Sequence, residues 1–398
     1  MLSYLSSFLK KNNNRTANFF HKKYTEMKMS NEKLLEIEQD EEQLLSPEYV
    51  RISMAAAIEL GLKQGQLMRG CGCGCINLLQ NYPEGCYANC SYCGLARERP
   101  GTAEDNSFIR VAWPLFKTDL VAQKIAEKEA KSEVGRVCIS QVHDPRNNDD
   151  LLEMADVIHR AAPKVPISAL INATTMTEEV LVKLKSVGVD IIGVGLDAAS
   201  EEVFYDTRGK GAKGPHNWNG HWKIINRARE LYGPLNINCH TVVGLGETDR
   251  EMVELFSGLH KKQIACYLFS FNPEEGTAMQ DVARQPIDRQ RHIQLVKYLI
   301  EHMNVDKSAI QFDEYDAISK INVDQNILDT AIGRGAAFMT DGCPDRHGEM
   351  SCNRPYGSYR PGEEFRDYPF APNKNDLRVI ESQMRLNELA PSNGNVTN

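Results

Sequence analysis

No apolar run in this chain of 398 residues approaches the roughly 18 needed for a membrane-spanning helix, which excludes an integral membrane protein of that kind. Basic charge is not in excess: 46 Lys and Arg stand against 54 Asp and Glu, a formal charge of −8. That argues against a nucleic-acid binder working through a general basic field, though not against a local basic patch. Neither nucleic acid nor membrane is expected as a partner. The N-terminus lacks the apolar core and small-residue cleavage site of a secretory signal. No Gly-x-Gly-x-x-Gly follows the first strand, so the usual dinucleotide site is missing. What is present is ordinary for a globular chain, with 41% hydrophobic and 25% charged residues. The length allows one large α/β domain with appendages, or two domains.

Residues 1–45 read as a tail, disordered to helical. Its first 25 residues hold Lys10, Lys11, Arg15, Lys22 and Lys23 and no acid. An organellar transit peptide would favour Arg and Ser over Lys and Asn. Met27 and Met29 are alternative starts, and residues 32–45, acidic with spaced leucines, predict a solvated helix. Ser46-Pro47-Glu48 resembles a helix start, with Ser as N-cap and Pro in the first turn. From Phe108 the pattern alternates. Strands are predicted over 135–142, 165–171, 190–196, 235–243 and 265–271, with one more around 76–79. Helices are predicted over 119–131, 149–162, 176–187, 217–232, 249–261 and 287–302. Two capping boxes, Thr175 to Glu178 and Thr248 to Glu251, open two of them. Continuous apolar strands between amphipathic helices mean a parallel sheet covered by helices, here in about six β/α units. A full or partial TIM-type (β/α) barrel over 46–340 fits better than a doubly wound sheet. A last helix is expected over 331–340. Residues 341–372 read as a docked, cysteine-bearing tail, and 373–398 as a disordered one.

Cysteine is what this chain has in quantity: 11, six of them within residues 71–93. Without a secretory signal, such spacing favours a reducing, cytoplasmic setting and metal chemistry over disulfides. Cys86, Cys90 and Cys93 form C-x-x-x-C-x-x-C, with aromatic Tyr92 before the third. Three thiolates on one short loop can hold three irons of a cubane and leave the fourth open to a small molecule. Zinc is the plain alternative, but it usually takes four ligands in two separated pairs.

This loop, behind a first strand, resembles that of the radical S-adenosylmethionine superfamily. The resemblance implies a [4Fe–4S] cluster whose open iron binds S-adenosylmethionine, and a 5′-deoxyadenosyl radical that takes a hydrogen atom from substrate. It also implies a (β/α) barrel with its site at the C-terminal strand ends. Val243-Gly244-Leu245-Gly246-Glu247-Thr248 is similar to a segment of the biotin and lipoyl synthases. So are Gly195-Leu196-Asp197 and residues 268–277 with Pro273. By that resemblance Tyr92, Asp197, Gly244, Gly246, Glu247 and Pro273 are cofactor-binding candidates. A Gly-rich turn before a capped helix is also plain βα-loop geometry. The likeness covers about residues 70–340.

The other cysteines narrow the resemblance. Cys71, Cys73 and Cys75 form C-x-C-x-C before the first barrel strand. With the tail segments Gly342-Cys343-Pro344-Asp345 and Cys352-Asn353-Arg354-Pro355, they resemble the two-component lipoyl synthases. That branch is expected to keep its two tail cysteines close together, whereas here residues 346–351 separate them. The resemblance implies a second iron–sulfur cluster on Cys75, Cys343 and Cys352, with Cys73 or Cys71 as a fourth ligand and Ser358 a weaker option; Cys71 and Cys73 are equally well bystanders, since spacing alone does not assign ligands. Cys138, Cys239 and Cys266 lie within apolar strands and are expected in the core. His143, Asp144, Asn172, Asn238 and His240 are pocket, loop or core residues; Arg208 and Lys210 could meet a carboxylate or a carrier protein, but basic residues in such loops are usually solvated. The implied reaction is sulfur insertion into an octanoyl-lysine on a lipoyl carrier domain. Its partners would be a second lipoyl synthase component and a reductant such as ferredoxin or flavodoxin. A biotin synthase, another radical enzyme on a small molecule, and a non-catalytic iron–sulfur protein are the alternatives.

Overall fold

The structure is a computed structural model and describes residues 44–102, 108–131, 133–357 and 362–386. Residues 32–43 of the predicted helix, Ser358 and the basic N-terminal segment lie outside the described residues, and residues 44 and 45 are not helical. The first element is not a helix at Ser46 but strand β1 (Tyr49–Ile52). Val50 and Ile52 are wholly buried there, and the strand pairs antiparallel with β2 (Cys75–Gln80) on one side and β3 (Leu115–Lys117) on the other. Tertiary pairing overrides the Ser-Pro signal, and Ser53 caps the short helix α1 (Met54–Glu59) instead.

Helices and strands then alternate. After α2 (Thr118–Glu129) come β4 (Arg136–Ser140), α3 (Asn147–Ala161), β5 (Ile167–Ile171), α4 (Glu178–Ser186) and β6 (Val189–Asp197). Next are α5 (Glu201–Thr207), α6 (Trp218–Tyr232), β7 (Ile237–Val243), α7 (Asp249–Lys261), β8 (Ala265–Ser270) and α8 (Ile287–Met303). Strand order is β3-β1-β2-β4-β5-β6-β7-β8, and β2 and β4 to β8 are all parallel. Among the described residues β8 does not pair with β3, so the barrel is partial rather than full. Thr248 and Glu251 form the predicted capping box of α7. The other predicted box is absent: Thr177 caps α4, while the Thr175 hydroxyl donates to Asn172 O and accepts from the Asn147 amide.

Period-2 alternation sorts the sheet into two faces. Ile76, Leu78, Val137, Ile139, Ile192, Val194, Cys239 and Cys266 pack outward in the main apolar core. Asn77, Leu79, Cys138, Ser140, Leu170, Gly195, His240, Val242, Tyr267 and Phe269 line a cavity on the inner face. No described helix is long and apolar enough to cross a membrane.

The chain continues through the hairpin β9 (Ile310–Phe312) and β10 (Ile318–Ile321) to α9 (Gln325–Gly333), which replaces the helix expected over 331–340. Gly335, in the left-handed region at φ 68°, separates it from a single 3-10 turn at Ala336–Phe338. The segment after Thr340 crosses the N-terminal ends of β2 and β4. Ser351 Oγ donates to Gly74 O at 2.7 Å, and Arg136 Nε to Pro344 O at 2.5 Å. A β-carbon on Gly74 would lie 2.6 Å from Ser351 O, and one on Gly342 would collide with Cys352. These two glycines permit the tail's close approach. The disordered stretch expected from 373 is corrected over helix α10 (Lys374–Met384). Asn373 and Asp376 form its capping box, and Ile380 and Met384 are buried against α8 and α9.

Candidate functional site

Cys86, Cys90 and Cys93 lie on the loop after β2 and border one cavity of about 300 Å³. The loop is tied down on several sides. Tyr87 N–H donates to His143 O at 2.9 Å, and Ser91 N–H to Thr207 O at 2.8 Å. The Asn89 amide donates to Ala212 O at 2.8 Å. Burial pushes Cys86 up to about 11 and raises Cys90 and Cys93 as well. A buried thiol stays protonated unless a cation sits beside it, and a bound metal reverses that preference.

Asp197 ends β6 in the left-handed region, at φ 60°. It accepts from Tyr92 Oη at 2.5 Å and pairs with Arg208 at 3.2 Å. Arg208 was expected in solvent but is buried, 7% exposed, with Nη1 donating to Gly195 O and the Cys90 thiol nearby. Burial works against its charge, but Asp197, Tyr92 and Cys90 outweigh it and hold the guanidinium charged. Its Nε has no hydrogen-bond partner. Three thiols on one loop, a buried cation with an orphaned N–H and an acid at a strand end fit an iron–sulfur cluster with a zwitterionic small molecule beside it. Among the described residues, no three Cys, His, Asp or Glu side chains stand close enough to grip a single metal ion. A cubane instead spreads its thiolates over separate irons.

The remaining expected cofactor residues divide. Tyr92 and Asp197 border the cavity; Gly244, Gly246, Glu247 and Pro273 do not. The Glu247 carboxylate accepts from Gly244 N–H at 2.8 Å and Leu245 N–H at 2.9 Å and pairs with Arg289 at 3.0 Å. It holds the turn together. Asn272 and Glu274, either side of Pro273, do reach the cavity. His143, Asn172 and His240 border it too, with the Asn172 amide 2.9 Å from the His143 ring. Asp144 is turned away into an ion pair with Arg146, and Lys210 is exposed.

At the other end of the cavity the tail delivers Cys343 and Cys352. Residues 344–351 extrude as a short hairpin with a Pro344–Met350 bridge, and the N–H groups of Ser351 and Cys352 both donate to Cys343 O. The inserted residues therefore leave the two thiols together. Asn77 Nδ2 lies 3.6 Å from both Cys75 Sγ and Cys352 Sγ, and Asn238 Nδ2 lies 3.7 Å from Cys343 Sγ. The neighbouring Cys75 thiol, helped by the Arg354 charge, lowers Cys352 against its burial. Cys73 faces the main core, its thiol donating to Cys75 O at 3.2 Å, and half-buried Cys71 also lies away from the cavity. Cys239 and Cys266 are core residues as expected, but Cys138 is not: it borders the cavity with the tail cysteines. Its strand carried a signal, since Arg136, Cys138 and Ser140 share the polar side of β4.

Residues 81–259 match the Radical SAM superfamily. A biotin synthase of Sulfurihydrogenibium sp. is 26% identical over 197 residues, 49% of this chain and 54% of that protein. A biotin synthase of Persephonella marina is 23% identical over 196 residues, again 49% and 54%. The chain thus spans about half the length of the curated relatives it matches. Among solved structures, a methylornithine synthase is 14% identical, with a TM-score of 0.46 over 79% of this chain and 82% of that one. The [FeFe]-hydrogenase maturase of Carboxydothermus hydrogenoformans is 16% identical, with a TM-score of 0.43 over 82% and 70%. Residues 81–259, with the cysteine loop behind the first parallel strand, thus form a radical SAM domain, a family that implies a [4Fe–4S] cluster and S-adenosylmethionine.

Proposed function

We propose that the chain is a radical SAM enzyme that inserts sulfur into an unactivated C–H bond, as one component of a lipoyl synthase acting on an octanoyl-lysine carrier domain. The observation that carries this is one cavity bordered by Cys86, Cys90 and Cys93 at one end and by Cys138, Cys343 and Cys352 at the other. A substrate chain between them would have a radical source on one side and a sulfur store on the other. When bound, the two clusters and S-adenosylmethionine would supply a carbon radical that takes the hydrogen atom and a sulfide that replaces it, the remaining electron reducing cluster iron.

Cys86, Cys90 and Cys93 hold the first cluster in this reading. Arg208 and Asp197 offer opposite charges to the zwitterionic end of the cofactor, and Tyr92 fixes the Asp197 carboxylate. Leu79, Val142 and Trp113 give the cavity an apolar wall suited to an acyl chain. At about 300 Å³ the cavity takes a small molecule or a chain, not a folded domain, so a carrier lysine would reach in from outside. The biotin synthase relatives support a second reading, a free small molecule as substrate.

Anaerobic incubation of the reconstituted protein with reductant, S-adenosylmethionine and an octanoyl-lysyl peptide tests this, with free octanoate alongside and a second lipoyl synthase component present or absent. Mass spectrometry should find sulfur in the peptide. Sulfur only in the free acid would favour the second reading, and 5′-deoxyadenosine without any added sulfur would overturn sulfur insertion.

A further inference from the structure

We propose that the second iron–sulfur site is a four-thiol site made of Cys75, Cys138, Cys343 and Cys352, with Cys138 as its fourth ligand and Cys73 outside it. This rests on the reading above that a second cluster exists. Strand register carries the assignment. Cys138 is the cross-strand partner of Asn77 on β2 and of Ser168 on β5. The Asn77 amide faces both Cys75 and Cys352 at 3.6 Å. The Ser168 hydroxyl donates to Val137 O at 3.3 Å and lies beside Cys138 and Cys343, and those two thiols border one cavity with Cys352. Asn77 and this shared cavity thus bring four thiols together, one pair from the sheet and one thiol from each end of the tail hairpin.

The surroundings suit a metal cluster. The Asn77 and Asn238 amides point N–H groups at sulfur, as the outer shell of a thiolate site does. Arg354 brings a positive charge beside Cys352. Four neighbouring thiols cannot all ionise without a cation beside them, which a metal cluster supplies. Cys73 lacks the placement. Its side chain belongs to the main core, its N–H donates to Glu59 at the end of α1 at 3.1 Å, and its thiol is spent on Cys75 O.

The test uses the full chain with Cys86, Cys90 and Cys93 changed to Ala, so that only the second site remains. After anaerobic reconstitution this background should hold about 4 irons per chain, one cubane. Cys138→Val is close to isosteric and keeps the site apolar. It should lose most of that iron and the reduced-cluster EPR signal, and so should Cys138→Ser. Cys73→Ser should keep both. Thermal melts of the metal-free variants show whether each has folded. Iron retained in folded Cys138→Val, or lost in folded Cys73→Ser, would overturn the assignment. A background that binds no iron would overturn the second cluster itself, and the assignment with it, while leaving the radical SAM domain untouched.

Discussion

His240 shows how one residue's environment becomes a property of the whole chain. Its ring lies among Tyr267, Phe269 and Arg354 on the inner face of β7. Burial, and then the Arg354 charge, holds its pKa down to about 3. An unfolded histidine titrates near ~6.5, so between these values the unfolded chain takes up a proton that the fold refuses. The stability this residue contributes is complete above about pH 6.5 and is lost as pH falls toward 3. Urea melts of the metal-free protein at pH 7 and pH 5 should show His240→Gln losing less stability on acidification than the parent. An equal loss would mean that His240 is protonated in the fold. Burial also lowers His216 and His221, so the variant should keep part of the acid slope. Residues of this kind were only partly legible in the sequence. Cys86, Cys90, Cys93 and Tyr92 stood out because one loop carries them all. Arg208 did not: Arg208-Gly209-Lys210-Gly211 has the composition of an exposed turn, and only the packing of α5 against the cysteine loop buries its first residue. Cys138 was readable in part, through the polar parity of β4, but both faces of a buried parallel strand are dry, and parity alone does not say which face meets a cavity.

At the scale of elements, strong periodicity marked the strands from β4 to β8 and the longer helices, while the ends depended on contacts distant in sequence. β1 is the clearest case. Residues 46–52 carry a helix-start signal, yet Ser46 Oγ donates to Tyr49 O and accepts from Asn81 N–H, and the strand pairs on both edges. Local propensity is a weak prior against pairing of that kind. α10 is the second case, since its polar composition hides a narrow apolar stripe. Leu377, Ile380 and Met384 fall at helical spacing, and Arg69 grips Asp376 with two bonds of 2.6 and 2.9 Å. Arg291, buried within α8, donates to Arg366 O at 2.7 Å, to Phe365 O and to Gln383, and so ties the stretch before α10 to the same surface. Ile380→Ala should cost about 2–5 kcal/mol of stability and free the helix for proteolysis. A change this large should appear in both the melting curve and the digestion pattern. If Ile380→Ala left both unchanged, α10 would not be held by its apolar stripe.

At the scale of the molecule, the tail closes the N-terminal end of the sheet while the Cys86–Cys93 loop stands at the other end of the same cavity. Two chemistries can therefore be separated by mutation. Changing Cys343 and Cys352 together to Ala removes two tail thiols and touches none of the three on the loop. In the loaded protein, iron should fall from about 8 to about 4 per chain, taking one cubane as the unit. Formation of 5′-deoxyadenosine should continue, because it needs only the loop cluster, and sulfur insertion should stop if the second cluster is its donor. The structural consequence should be local. Proteolysis should rise between residues 342 and 357, where a metal would clip the tail to β2 and β4, as loss of a structural metal loosens the segment it held. It should not rise beyond residue 365, because Arg291, the Met339–Tyr368 bridge and the stripe of α10 hold that part without metal. Iron assay, product analysis and limited proteolysis on one preparation read all of these. A double variant that still holds two cubanes would show that the tail thiols are not ligands. One that has lost a cubane and still inserts sulfur would show that the second cluster is not the donor.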